Sequence, residues 1–199
     1  MNDQNDSMTH WRRLLEPSSA ELLKEAESGD FRQASRLERL RDRWGGGLAA
    51  AALELVAARR SGAAKFPSLP ALVGDVAGVE QATGFLVAQH KAARFSRLAP
   101  SRIYDLCCGI GGDALALAAV AHTRAFDVDP LRAWMCGRNL EEAGLAGESC
   151  CEKVEGLALE GEVVHIDPSR REEDQAGGGR GRRAWSYRDY RPGPEFIET

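Results

Sequence analysis

The sequence lacks both a long apolar run and an excess of positive charge. No stretch approaches the roughly 18 consecutive apolar residues of a membrane-spanning helix, and the polar N-terminus has no apolar core of a signal peptide. The formal net charge of -4 excludes a surface that is basic throughout, so any contact with nucleic acid must come from a local patch. We therefore expect no membrane partner and a location in the cytoplasm.

The cysteines lack the spacing of a metal site or of a disulfide framework. They are five in number, form two adjacent pairs and one single residue, and show no CxxC or Cys/His pattern: Cys107, Cys108, Cys136, Cys150 and Cys151. We predict no bound metal and a reducing compartment. A nucleophilic role for the adjacent Cys107 and Cys108 is the alternative to packing, which free cysteines in a tight turn usually serve.

Two regions differ in pattern. Residues 1–95 are helix-compatible, with a last helix expected at about 79–96. From residue 96 to 199, short apolar runs alternate with helix-compatible segments, which predicts right-handed βαβ units on a parallel sheet. The predicted strands and helices of this region are 102–106, 113–121, 123–128, 130–143, 151–154 and 162–166. The fold class is therefore α/β, preceded by a helical region.

The segment 103–117, IYDLCCGIGGDALAL, is the main candidate for binding a ligand. An apolar strand ends at Asp105, and the chain turns through Gly109, Gly111 and Gly112 into a helix. Glycines allow a sharp turn and a close approach to a ligand, and the start of the helix offers N–H groups. This arrangement predicts a cradle for a nucleotide cofactor.

Three acidic residues end predicted strands. Asp105, Asp127 and Asp167 come from distant parts of the sequence. Ligands of open α/β sheets bind at the carboxyl ends of the strands. We therefore expect these carboxylates to line one edge of the sheet.

The identity of the cofactor depends on Asp105. The spacing of Gly109, Gly111 and Ala114 also satisfies the GxGxxG/A pattern, so an NAD(P)-dependent oxidoreductase is an alternative. A carboxylate at Asp105 would repel a pyrophosphate, however, and suits the ammonium and sulfonium of S-adenosylmethionine. Asp127 is then expected to accept hydrogen bonds from the ribose.

Three segments resemble the motifs of class I S-adenosylmethionine-dependent methyltransferases: DLCCGIGGD, AFDVDP and VVHIDPSRR. Together with EQAT at 80–83, they are similar to bacterial methyltransferases with a THUMP-like domain, whose core is shared with trimethylguanosine synthases. The resemblance implies a Rossmann-like sheet and methyl transfer to a nitrogen of RNA. It implies cofactor contacts at the following residues: Asp105, Cys107, Gly109, Ile110, Gly111, Gly112, Asp113, Asp127 and Val128.

The catalytic pair implied by the resemblance is Asp167 and Pro168. An acid or amide followed by proline accepts hydrogen bonds from the target amine and orients its lone pair. The usual proline and aromatic residue that follow are replaced here by Ser169 and Arg170, which weakens the case for a nucleobase target, although Arg170 or Arg171 could hold a phosphate or stack on a ring. Asp113 is either an ordinary first-turn acid or a residue facing the methionine end of the cofactor.

Two features leave alternatives open. Arginines and aromatics are interleaved at 176–194, which suits contact with RNA but is also typical of a disordered loop. Further strands of the methyltransferase sheet are not found after 162–166. We therefore expect an incomplete sheet from the N-terminal part of a longer enzyme, and a fragment that binds cofactor or RNA without turnover is an alternative.

Overall fold

The computed structural model describes residues 2–28, 34–168 and 192–197. The chain forms two compact units, Met1–Gln81 and Ala82–Thr199. The sequence-based boundary between 95 and 96 stays a prediction. None of the helices in the described ranges combines the length and the apolar character needed to cross a bilayer.

The first unit is helical and is organised around one alanine-rich helix. Its helices are α1 (Asn2–Leu14), α2 (Ala20–Glu27), α3 (Ala34–Trp44), α4 (Gly46–Gly62) and α5 (Val76–Gln81). The central α4 contacts each of the others, and Ala49, Ala52 and Leu55 along it are fully buried. Small side chains let neighbouring helices approach closely, so α4 forms the core of this unit.

The helix predicted at about 79–96 is wrong in one respect, because the chain leaves the helix at residues 82–84. Helix α5 ends at Gln81, and α6 (Phe85–Ser96) begins after Gly84. Thr83, between the two helices, packs so closely against Gly112 that a Cβ there would lie 2.9 Å from the Thr83 nitrogen. This tertiary contact overrides the local helical pattern.

The second unit contains a parallel sheet with helices between its strands. The remaining elements are β1 (Arg102–Leu106), α7 (Gly112–Ala118), β2 (His122–Asp127), α8 (Pro130–Glu142), β3 (Gly147–Cys151), β4 (Val164–Ile166) and α9 (Pro194–Ile197). The strand order is β3-β2-β1-β4, and each described pairing is parallel. The predicted α/β class is confirmed, whereas the third strand lies before its predicted position at 151–154.

Each face of the sheet is packed by different residues. On one face, Ala125 packs with Ala114 of α7 and with Cys136 of α8. On the other face, Tyr104 and Phe126 form a second cluster. Successive side chains of a strand alternate between faces, so Asp105, which pairs with Ala125 in register, lies on the helix-covered face.

Candidate functional site

The turn between β1 and α7 needs backbone conformations that favour glycine. Gly109 has a φ of 56°, Gly111 a φ of 97°, and Cys107 a φ of 66°. A Cβ at Gly111 would also lie 3.1 Å from the Cys136 sulfur, whereas a Cβ at Gly109 would meet nothing within 4 Å. Residues that carry a side chain rarely adopt a positive φ, so this turn requires its glycines. The backbone at Gly109 also borders open space.

Asp127 anchors the glycine turn to the end of β2. Its Oδ2 accepts a hydrogen bond of 2.8 Å from the Gly109 backbone nitrogen, and its Oδ1 accepts one of 2.9 Å from the Asp129 nitrogen. Burial raises the pKa of Asp127, and these two backbone hydrogen bonds act in the opposite direction. The predicted acid at this strand end therefore touches the predicted turn directly.

Helix α8 also supports the turn between β1 and α7. The buried Asn139 side chain donates a hydrogen bond of 2.8 Å to the Ile110 carbonyl. Asp129 caps the start of α8, since its carboxylate accepts from the Leu131 nitrogen at 2.8 Å. Asp129 therefore caps the helix, and Asp127 is left to bind the turn.

Asp105 pairs with a histidine from the neighbouring strand. The two residues are aligned in register between β1 and β4, and His165 Nδ1 lies 2.8 Å from Asp105 Oδ1. Asp105 is only 1% exposed, and its Oδ2 has no hydrogen-bond partner in the part of the chain that the structure describes. A buried acceptor oxygen of this kind is rare.

The proton affinity of this pair follows from burial and hydrogen bonding. Burial raises the pKa of Asp105, although the hydrogen bond from His165 opposes the shift. Burial acts to lower the pKa of His165, but the hydrogen bond to Asp105 and the nearby carboxylates outweigh it, so this pKa is raised. The pair therefore tends to hold a proton.

A second cluster is centred on Lys91 of α6. Its Nζ donates to Asp113 Oδ2 at 2.8 Å and to Asp167 Oδ2 at 3.0 Å. The Thr83 hydroxyl donates to the same Asp113 oxygen at 2.7 Å. Burial acts to lower the pKa of Lys91, but the bonds to Asp113 and Asp167 outweigh burial and raise it. A charged lysine thus joins α6, α7 and the residue after β4.

The two clusters meet at Asp113. His165 Nε2 lies 3.9 Å from Asp113 Oδ2, and Asp113 Oδ1 is buried without a hydrogen-bond partner among the described residues. In the part of the chain that the structure describes, three carboxylates therefore face the Lys91 ammonium and the proton held by the Asp105–His165 pair. This balance favours a cationic ligand with N–H donors and disfavours a phosphate.

The remaining predicted site residues are divided by exposure. Val128 is 54% exposed beside the end of β2, whereas Ile110 is buried. Cys107 is partly buried, and burial raises the pKa of its thiol to about 12, so the thiolate needed by a nucleophile is absent at neutral pH.

Some of the sequence predictions fall on residues outside the described ranges, namely Ser169, Arg170, Arg171 and most of the segment 176–194. No cluster of metal-ligating side chains occurs in the described ranges.

Sequence reasoning missed three residues of the site. His165 lies in the predicted strand 162–166, and only the alignment of that strand with β1 places it beside Asp105. Thr83 belongs to the EQAT segment, which the sequence pattern predicts as helix. Lys91 carries no sequence signal, because its position depends on how α6 packs against α7.

Comparison with known proteins gives relatives in sequence and in fold. No protein-family model matches the chain. Two curated proteins, from two strains of Mycobacterium tuberculosis, are named uncharacterized S-adenosylmethionine-dependent methyltransferases and are 37% identical over 117 residues. The match covers 58% of this chain and 30% of the length of each relative.

One solved structure supports the fold. It is a protein from Porphyromonas gingivalis W83 assigned as a methyltransferase, with a TM-score of 0.50 and 16% identity over 85% of this chain and 42% of the solved chain. At that identity the likeness bears on the fold alone. The chain is therefore similar in sequence to proteins named S-adenosylmethionine-dependent methyltransferases and has the Rossmann-like α/β fold of a methyltransferase structure.

Proposed function

We propose that this chain is the S-adenosylmethionine-binding part of a methyltransferase that modifies a nitrogen atom of RNA. One observation carries the cofactor: among the described residues, Asp113 and Asp167 share the Lys91 ammonium and Asp105 lies beside His165 in the adjoining cluster, so carboxylates outnumber cations there. The pyrophosphate of a nicotinamide cofactor would add negative charge there, whereas a sulfonium and an ammonium would reduce the imbalance. The names of the two relatives support the same cofactor.

The residues present fit this cofactor. Asp105 Oδ2 and Asp113 Oδ1 are buried and have no hydrogen-bond partner within the described ranges, and such acceptors suit an ammonium. The open space beside Gly109 allows a ligand to approach the backbone. Asp127 retains lone pairs for ribose hydroxyls, and the exposed Val128 offers an apolar contact to the adenine.

The remaining turn residues shape the cradle. Gly111 and Gly112 keep side chains out of the space occupied by Cys136 and Thr83. Ile110 is fixed through its backbone carbonyl by Asn139. We assign Cys107 to the same supporting role, because burial keeps its thiol protonated.

The proposed chemistry places Asp167 beside the acceptor nitrogen. When bound, the cofactor would supply the methyl group: the nitrogen lone pair would form the new N–C bond, the C–S electron pair would return to sulfur, and the proton released from nitrogen would pass to solvent water. The Asp167 side chain is 44% exposed, so it can accept a hydrogen bond from the acceptor N–H. Pro168 fixes its own φ and restricts the backbone conformation of Asp167 before it. Holding the acceptor nitrogen and the methyl group close together and correctly oriented can lower the activation barrier by about 7–11 kcal/mol.

The RNA acceptor depends on the resemblance to methyltransferases with a THUMP-like domain and on the Asp167-Pro168 pair. The arginine and aromatic residues at 176–194 add groups that bind phosphates and stack on bases. A cytoplasmic location is proposed with it, because all five cysteines are free thiols and free thiols suit a reducing compartment.

Calorimetric titration tests the cofactor. We expect the chain to bind S-adenosylhomocysteine and not NADH, and Asp105→Asn to weaken that binding at least tenfold through loss of one charge-assisted contact. Asp42→Asn removes an exposed carboxylate of α3 and serves as the control. Binding of NADH without binding of S-adenosylhomocysteine would contradict the proposal.

Transfer of a labelled methyl group to total RNA tests the acceptor. Incorporation that is lost in Asp167→Ala, which removes the hydrogen-bond acceptor, supports the proposed reaction. Cofactor binding with no incorporation into RNA would support a binding fragment without turnover instead.

A further inference from the structure

Lys91 contributes a positive charge to this site, and the proposed chemistry assigns it no role. Its side chain is 25% exposed and lies between Asp113, which is 9% exposed, and Asp167, which is 44% exposed. Lys91 therefore joins a nearly buried carboxylate to a partly exposed one. Its third contact, at 3.3 Å, is to the Thr83 hydroxyl.

On the basis of the proposed function, we propose that Lys91 reduces the net negative charge of the cofactor site. It thereby limits how much more tightly the site binds the cationic cofactor than its neutral product. It acts as a positioning residue, because it works through Asp113 and Asp167. Removing its charge leaves both carboxylates without their shared cation.

The physical reason lies in the charge that methyl transfer removes from sulfur. Fixed carboxylates attract a sulfonium in the ground state and lose that attraction as the reaction proceeds. Binding that is stronger in the ground state than in the transition state does not accelerate a reaction. A fixed ammonium between two of the carboxylates reduces this ground-state attraction while leaving Asp167 in place as a hydrogen-bond acceptor.

A purely structural role for Lys91 is the alternative. In that case Lys91 only ties α6 to α7, and its removal would weaken binding of the charged and the neutral ligand by the same factor. The ratio of the two dissociation constants separates the two roles, because only a charge effect acts on one ligand more than on the other.

The experiment measures binding of S-adenosylmethionine and S-adenosylhomocysteine by calorimetry at one pH and low salt. The charge preference is the dissociation constant of S-adenosylhomocysteine divided by that of S-adenosylmethionine. We expect it to rise about tenfold in Lys91→Gln and Lys91→Met, which corresponds to about 1.4 kcal/mol. Lys91→Arg keeps the charge and should leave the preference unchanged.

Two further variants complete the design. Lys24→Met removes an exposed lysine of α2 and should leave the preference unchanged. The double variant Lys91→Met with Asp167→Asn restores the charge balance, so its preference should return toward that of the unmodified chain. Thermal unfolding of each variant identifies any that fails to fold. If Lys91→Met alone does not fold, the double variant still tests the charge effect.

The outcomes separate the inference from the proposed function. If the unmodified chain binds neither ligand, the proposed function is wrong. If it binds both and the preference is the same in folded Lys91→Gln, in Lys91→Met and in the double variant, the inference alone is overturned.

Discussion

Lys91 and Asp167 are 76 positions apart in the chain, yet the Nζ of one lies 3.0 Å from the Oδ2 of the other. Lys91 belongs to the helix before the sheet, and Asp167 follows its edge strand β4. This ion pair, with Asp113 as its second partner, holds the proposed acceptor-binding carboxylate against α6 and α7.

The stability of the second unit should depend on Lys91. Lys91→Met leaves the mostly buried Asp113 carboxylate with fewer donors, and we expect a loss of about 1–2 kcal/mol in the free energy of unfolding. Urea denaturation measures this loss. A double-mutant cycle with Asp113→Asn should show coupling of at least about 0.5 kcal/mol, and additive effects would contradict a direct interaction.

Gly112 should tolerate no side chain. Gly112→Ala places a Cβ 2.9 Å from the Thr83 nitrogen and 3.0 Å from its carbonyl oxygen, and backbone must move to relieve the overlap. We expect a loss of about 1–3 kcal/mol in the free energy of unfolding. Gly156→Ala, where a Cβ meets nothing within 4 Å, is the control and should be nearly neutral. Equal effects of the two changes would disprove the close contact.

Asp127 and Asp129 should respond differently to the same substitution. Asp127→Asn replaces one of two acceptor oxygens by an amide donor that faces a backbone N–H, so we expect at least a tenfold loss of affinity for S-adenosylhomocysteine. Asp129→Asn keeps a good helix cap and should change that affinity less than threefold, as an order-of-magnitude limit. Calorimetric titration compares the two variants, and a reversed order would remove Asp127 from the site.

The stability of the chain should fall as the pH rises above about 6.5, the ordinary pKa of histidine. The folded-state pKa of His165 is raised, so the folded state holds its proton more tightly than the unfolded state, whose ordinary pKa is about 6.5. The stabilising contribution is present below that value and is lost as the pH rises through the folded-state pKa. His165→Gln should flatten the dependence measured by urea denaturation, and an unchanged slope in this variant would assign the effect to another group.

Several elements could be predicted because their signals are local. Strand β1 occupies the predicted residues 102–106, where an apolar run leads into the turn. Strand β3, GESCC, has no apolar run of its own, and only its parallel pairing with β2 places it at Gly147–Cys151. The helix break at Thr83 was missed for the same reason, since it depends on a partner in α7.

The glycine turn, the alternation of strands and helices, and the acids at the strand ends can be recognised in the sequence. These features follow from backbone conformation and side-chain periodicity, which act between near neighbours. The charge environment of those acids, in contrast, arises only when the chain folds. His165 reaches Asp105 across 60 positions through strand register, and Lys91 reaches Asp167 across 76 through helix packing, because electrostatic partners are chosen by distance in space and not along the chain.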